Sequence, residues 1–187
     1  MSGKYGIACI MDETAVKEAI QKMSQQIVKN HNAPHKLCII GIRRRGVAIA
    51  KNIFDTITEL SGGKEPFLGE LDVTLYRDDL ATLKELPVFF STNIPFDINN
   101  QKVLIVDDVL YTGRTVRAAL DALFLLGRPS KIELAVLIDR GHRELPIKAD
   151  YIGETVRTTD IEYVRVKTPR YDGESAVYLQ DQKNTPT

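Results

Sequence analysis

The chain has 187 residues, and its 25 Lys+Arg balance 25 Asp+Glu to a formal net charge of zero. That balance excludes a uniformly basic nucleic-acid coat and an acidic tail protein, although a local basic face can hide inside a zero sum. With 43% hydrophobic and 27% charged residues, the chain reads as one globular domain over 1–187 that needs no disulfide or structural metal.

Residues 14–29 repeat at helical spacing. Ala15, Val16, Ala19, Ile20, Met23, Ile27 and Val28 form one stripe, with Lys17, Glu18, Lys22 and Lys29 opposite. Leu37–Ile40 is a continuous apolar run ending at Gly41, as suits a fully buried strand. Gly46 opens a second helical pattern through Val47, Ala48, Ala50, Ile53, Phe54 and Ile57, closed by Ser61-Gly62-Gly63. Leu71–Tyr76 alternates and predicts a half-buried strand. Arg77–Pro87 is polar and without a period, a loop long enough to suggest a functional role, and Val88–Thr92 reads as a further strand. Val103–Val106 is a second buried strand. The helix after it carries Val116, Ala119, Leu120, Leu123 and Phe124 on its apolar face, with Gly127 in the place of a C′ glycine and Pro129 blocking continuation. Ile132–Ile138 is a third apolar strand, Tyr163–Lys167 and Ala176–Leu179 alternate, and the tail from about residue 180 reads as frayed. Cys9 and Cys38 sit among apolar neighbours and read as two buried reduced thiols. No apolar run approaches the roughly 20 residues that span a bilayer, and Met1–Met11 has no uninterrupted apolar core of a signal peptide. A cytoplasmic location is the expectation.

Strands alternating with helices imply βαβ crossovers and a mostly parallel sheet, in which ligands bind beyond the carboxyl ends of the strands. The segment after each apolar strand therefore matters most. After Val103–Val106 come Asp107-Asp108 and the turn Val109-Leu110-Tyr111-Thr112-Gly113-Arg114-Thr115, which opens a helix. Backbone N–H groups, two hydroxyls and a positive helix end would converge there on an anion such as a phosphate monoester. The adjacent carboxylates repel phosphate and suit sugar hydroxyls or hydrated Mg²⁺. A capped, solubilised strand end is the simpler alternative, but acid pair, Thr-Gly turn and helix start coincide where sites occur. After Leu37–Ile40 comes Gly41-Ile42-Arg43-Arg44-Arg45-Gly46, a second anion site, since guanidinium forks pair with phosphate oxygens. Neighbouring side chains diverge, so one or two of these arginines would face solvent or a subunit. After Ile132–Ile138 comes Asp139-Arg140-Gly141-His142-Arg143-Glu144-Leu145-Pro146, whose lone His is more often structural than catalytic. GxxxxGK[ST], GxGxxG, GxSxG and HExxH are all absent, which counts against P-loop, dinucleotide, serine-nucleophile and zinc chemistry.

Val103–Thr115 (VLIVDDVLYTGRT) resembles the phosphoribosyl-diphosphate (PRPP) signature of type I phosphoribosyltransferases. Gly69–Leu80 (GELDVTLYRDDL), Tyr111–Arg128 and Leu137–Asp150 (LIDRGHRELPIKAD) are similar to the PyrR branch of that family, which couples uracil phosphoribosyltransferase activity to attenuation of pyrimidine operons. The likeness runs from about Asp12 to Leu179. It implies an α/β type I phosphoribosyltransferase fold: a mostly parallel central sheet flanked by helices, with a small hood and a mobile loop. It implies conversion of uracil and PRPP to UMP and diphosphate. Asp107 and Asp108 would hold the ribose hydroxyls, and Leu110, Tyr111, Thr112, Gly113, Arg114 and Thr115 would cradle the 5′-phosphate. Ile42, Arg43, Arg44 and Arg45 would bind diphosphate. Tyr76, Arg77, Asp78 and Asp79 would belong to the mobile loop, with Arg77 reaching the diphosphate. Asp139, Arg140, Gly141 and His142 would border the uracil, largely through backbone groups. Mg²⁺ would ride on PRPP, with no dedicated protein ligand set. The resemblance also implies binding of a pyrimidine-operon leader mRNA promoted by UMP or UTP, through Arg140, His142, Arg143 and Lys148, in a homodimer or higher homo-oligomer. Glu154, Gln21 and Gln25 depart from the family's RNA-face pattern, so a salvage enzyme without RNA binding is the alternative.

Overall fold

The computed structural model describes residues 7–76 and 92–181. Its centre is a five-stranded parallel sheet in the order β3-β2-β4-β5-β6, formed by β2 (Cys38–Ile42), β3 (Phe67–Leu71), β4 (Lys102–Leu110), β5 (Lys131–Asp139) and β6 (Tyr151–Thr155). Helix α1 (Glu13–Asn30) starts at Asp12, whose carboxylate accepts the Ala15 N–H at 2.9 Å and so satisfies one of the helix's unpaired donors. It shares one face of the sheet with α2 (Arg45–Leu60). Helix α3 (Arg114–Leu126) covers the other face.

Two apolar cores result, one on each side of the sheet. Ile39, Leu104, Val106, Ala135 and Leu137 face α1 and α2, where Ile20, Met23, Ile27, Ile53 and Ile57 meet them. Ile40, Val103, Ile105, Leu134 and Val136 face α3. Central strands buried on both faces read as continuous apolar runs for this reason. A smaller antiparallel sheet, β1-β8-β7, is built from β1 (Ala8–Met11), β7 (Glu162–Lys167) and β8 (Ala176–Asp181) and forms the hood. The four-residue helix α4 (Pro169–Asp172) joins β7 to β8.

Several expectations change. The strand expected over Leu71–Tyr76 does not form: β3 runs over Phe67–Leu71 and shares only Leu71 with it. The Asp72 carboxylate accepts the Thr74 N–H (3.0 Å) and hydroxyl (2.6 Å), closing a local turn that leads into a 3₁₀ turn over Thr74–Tyr76. Of the strand expected over Val88–Thr92, residues 88–91 lie outside the described residues. Phe124 is 60% exposed rather than core-facing. Helix α3 buries Val116, Ala118, Ala119, Ala122 and Leu123 instead, so its inner stripe runs along small alanines. Gly127 is extended, not left-handed. What it needs is space, because a Cβ there would lie 2.8 Å from Ile98 Cγ1. Cys38 is buried, as expected, but Cys9 is exposed on β1. Strand β8 runs on through Gln180 and Asp181, past the point at which the tail was expected to fray.

Candidate active site

All five parallel strands point their carboxyl ends to one edge, so the loops after β2, β3, β4, β5 and β6 gather there. Backbone hydrogen bonds tie these exits together: Arg43 N–H to Leu71 O (2.9 Å), Arg140 N–H to Leu110 O (3.1 Å), and Val156 N–H to Asp139 O (2.9 Å).

Asp107 and Asp108 lie in the second half of β4. Each carboxylate accepts the N–H of the next residue, Asp108 N at 2.9 Å and Val109 N at 3.0 Å, which fixes both side chains to the backbone. Asp107 is buried and Asp108 half-buried. Burial pushes the Asp108 carboxyl up from its ordinary value, against the opposing pull of its hydrogen bond with Asp107 and of the Arg45 charge. Beyond them the chain turns through Tyr111 and Thr112 to Gly113, which takes φ 95° at the start of α3 and bears no capping side chain of its own. A Cβ there would also crowd Ile147 and Leu145 at 3.3–3.4 Å. Thr112 Oγ accepts the Arg114 N–H at 3.3 Å. The first turn of α3 thus borders an open cavity of about 220 Å³, lined among others by Asp107, Leu110, Thr112, Gly113, Thr115 and Glu144. The positive end of the α3 dipole faces this cavity, a setting that suits an anion. Arg114 itself is held by Glu144 at 2.7 Å, across the mouth of the cavity.

The arginine loop is brought against the acid pair by two glycines. A Cβ on Gly41 would lie 2.6 Å from Val47 Cα, and one on Gly46 would lie 2.6 Å from Val106 O and 3.1 Å from Asp107 Cα. Only residues without side chains let the loop curl and the start of α2 rest on β4 at Asp107. Ile42 ends β2 and is buried. The three arginines diverge, as their adjacency requires. Arg43 pairs with Glu70 on β3 at 2.5 Å. Arg45 makes a two-pronged contact with Asp172 on α4, Nε to Oδ2 at 3.3 Å and Nη2 to Oδ1 at 3.0 Å. Arg44 is exposed.

The loop after β5 closes a third side. Arg143 is its hub: the guanidinium donates to the carbonyls of Tyr111 (2.7 Å), Gly141 (2.8 Å), Ile147 (3.1 Å) and Leu110 (3.4 Å), and to Asp139 Oδ2 (2.5 Å). Arg140 is buried. It donates to Glu162 O (2.6 Å) and Thr158 Oγ (3.2 Å) and lies 4.1 Å from the ring centre of Tyr111. Gly141 takes φ 77° and His142 φ 55°; the imidazole meets Thr158 O at 2.7 Å and packs edge-on against Tyr111. Lys148 is exposed.

Tyr76 anchors the end of its 3₁₀ turn by packing on the α3-side core and accepting the Arg117 guanidinium at its carbonyl, 3.0 Å away. Arg77, Asp78 and Asp79 lie outside the described residues. Glu70, Glu144 and Asp172 escape a sequence reading because each partners an arginine far away along the chain. Gly46 is visible there only as the end of an arginine run. Among the described residues, no group of three or more His, Cys, Asp and Glu is arranged to hold a metal. The donor set is one acid pair beside two anion loops, which fits a cation delivered on a diphosphate.

The comparisons agree with this geometry. The family described as phosphoribosyl transferase domain matches residues 8–171. "Bifunctional protein PyrR" of Elusimicrobium minutum is 48% identical over 175 residues, covering 94% of this chain and 97% of the relative. The protein of the same name from Caldicellulosiruptor bescii is 51% identical over 171 residues, covering 91% and 93%. The fold is shared with hypoxanthine phosphoribosyltransferase from Trypanosoma cruzi (TM-score 0.73, 17% identity, 94% and 95% covered) and with a hypoxanthine-guanine phosphoribosyltransferase from Bacillus anthracis (TM-score 0.70, 14%, 93% and 97%). Half-identical relatives along nearly the whole length, on a fold whose strand ends carry this acid pair and these anion loops, place the chain in the phosphoribosyltransferase family, on its PyrR branch.

Proposed function

We propose that the protein transfers the phosphoribosyl group of PRPP to uracil, yielding UMP and diphosphate, and that it also regulates pyrimidine-operon transcription by UMP- or UTP-dependent binding of leader mRNA. The observation that carries the enzyme reading is the convergence of the acid pair Asp107–Asp108 with two anion loops at one sheet edge. A phosphate cradle on one side, an arginine loop on the other and carboxylates between them match a sugar bearing a 5′-phosphate and a 1-diphosphate.

The chemistry asks for alignment and charge, not for a protein nucleophile. As the bond from the anomeric carbon to diphosphate breaks, negative charge grows on the leaving group and positive charge on the ribose ring. The arginine loop meets the first, and Asp107 and Asp108 lie where they can hold the ribose hydroxyls and face the second. Mg²⁺ arrives with PRPP as part of the substrate and neutralises diphosphate charge. Leu110 through Thr115 hold the 5′-phosphate. The backbone around Asp139–His142, fixed by Arg143, borders the base. The roles given to Arg77, Asp78 and Asp79 rest on the sequence resemblance alone.

For regulation, the name shared by the relatives supports the reading. Arg140 and Arg143 spend their guanidinium groups inside the protein, so His142 and Lys148 are the members of the expected RNA set that reach the surface. Glu154, Gln21 and Gln25, which depart from the family's RNA-face pattern, are exposed. A homodimer or higher homo-oligomer is expected from the resemblance. No described helix is long and apolar enough to cross a membrane.

The enzyme reading is tested by replacing Asp107 and Asp108 together with Asn. UMP formation from uracil, PRPP and Mg²⁺ is expected to fall to background, and wild-type turnover in that variant would remove the site assignment. Product with hypoxanthine or guanine and none with uracil would refute the choice of base.

A further inference from the structure

Asp172 lies on the short hood helix α4, one residue past the segment matched by the family. Its carboxylate is 8% exposed and carries an unusual load for a hood residue. One oxygen accepts from Arg45 Nη2 at 3.0 Å. The other accepts from Arg45 Nε at 3.3 Å and from the Thr168 N–H at 3.0 Å. Arg165 Nη2 lies 3.8 Å away. Burial alone would push this carboxyl up, but the Arg45 bonds, the Thr168 N–H and the two arginine charges outweigh it and hold it below the ordinary range.

Arg45 is the first residue of α2 and the last arginine of the loop read as the diphosphate site. Its Nε and Nη2 are committed to Asp172, whereas Nη1 makes no hydrogen bond to the described residues. An arginine side chain free in solution would sample many rotamers. One gripped along its Nε–Nη2 edge presents its remaining N–H groups and its charge in a single place.

We propose that Asp172 is a positioning residue for phosphoribosyl transfer: from the hood it clamps the Arg45 guanidinium beside the acid pair, leaving Nη1 for the diphosphate of PRPP. The hood is then part of the substrate site through this clamp. This assignment rests on the phosphoribosyltransferase reading above and adds to it a residue that touches no reactant.

The test is a calorimetric titration of Mg²⁺-PRPP into the full chain, in parallel with steady-state UMP formation. The proteins are wild type, Asp172→Asn, Arg45→Gln and the double variant. Asp172→Asn is expected to weaken PRPP binding about tenfold, the value of a charge-assisted hydrogen bond. KM for PRPP should rise in step and KM for uracil should stay put, a split that general loosening of the fold would not produce. The double variant should bind PRPP no more weakly than Arg45→Gln alone, because both act through one guanidinium. Wild-type PRPP affinity in Asp172→Asn, or losses that multiply in the double variant, would overturn the proposal. Should Asp172→Asn fail to fold, Arg45→Lys decides: it keeps the charge but loses the fork, so an affinity loss is expected and unchanged affinity overturns the clamp. A wild-type protein that binds PRPP but makes no UMP would refute the uracil reading and leave the calorimetric arms to judge the clamp. Absence of PRPP binding would sink both.

Discussion

Two single residues show how closely the site is tied to the fold. Gly46 has no side chain to offer a ligand, yet a Cβ there would run into the Val106 carbonyl and the Asp107 backbone. Gly46→Ala must push α2 off β4 or displace Asp107. The expected cost is about 2 kcal/mol of stability, typical of overpacking, with a raised KM for PRPP; thermal unfolding and initial rates check both. Asp108 shows the opposite relation between site and stability. Its folded-state carboxyl titrates above its unfolded value, chiefly through burial. Between those two values the native state holds more protons than the unfolded chain, so stability falls as pH rises through the window. Asp108→Asn is therefore expected to raise the unfolding midpoint at pH 7 while impairing turnover, and the gain should vanish below the unfolded carboxylate range. A midpoint at pH 7 equal to or below wild type would show that the buried charge is fully compensated where it lies.

Among the elements, the loop after β5 is held as one piece by Arg143. Five hydrogen bonds from one half-buried guanidinium fasten the loop's own backbone and Asp139 to the Leu110–Tyr111 turn. Arg143→Ala would take from the carbonyls of Tyr111, Gly141 and Ile147 the donor that Arg143 supplies, whereas Leu110 O would keep the Arg140 N–H. It is expected to cost about 3 kcal/mol and to impair phosphate and base binding together; loss of one without the other would separate the two loops. Its place in the sequence, inside a basic stretch, suggests a surface cation, and only the fold shows where its donors go. The same limit runs through the other elements. The strands β2, β4 and β5 and the stripes of α1 and α2 are legible in the sequence, because burial on both faces or on one stripe imposes an apolar period. Strands β1 and β6 lie at sheet edges, are short and partly exposed, and carry no such period. The end of β3 at Leu71 is set by a side-chain turn at Asp72 that alternation alone cannot show. The acid pair and anion loops are legible because local chain order builds them. Arg43–Glu70 and Arg45–Asp172 are not, since 27 and 127 residues separate the partners.

Across the whole molecule, the zero net charge is a sum over unlike regions. Residues 52–100 hold 9 acidic and 3 basic side chains, whereas residues 31–51 carry five bases and no acid. The fold then pairs part of the positive charge with its own acidic and carbonyl groups. Arg43 goes to Glu70, Arg114 to Glu144 and Arg45 to Asp172, while Arg140 and Arg45 together pin the hood to the central sheet's loops. An RNA phosphate can recruit only the cations left at the surface, of which Lys148 belongs to the expected RNA set. This separates two kinds of mutant in a titration of pyrimidine-operon leader RNA in the presence of UMP. Lys148→Gln removes one exposed charge and is expected to weaken binding at low salt and to lower the slope of log K against log salt by about one contact. Arg140→Gln removes a buried strut beneath Tyr111 and should lower thermal stability and UMP formation, with RNA binding falling only as the fold loosens. Glu154→Lys adds a cation to an exposed strand end and is expected to strengthen binding and steepen the slope. UMP-dependent binding with a salt slope that none of the surface substitutions moves would place the RNA on a different face, and no UMP-dependent binding at low salt would leave the salvage enzyme alone.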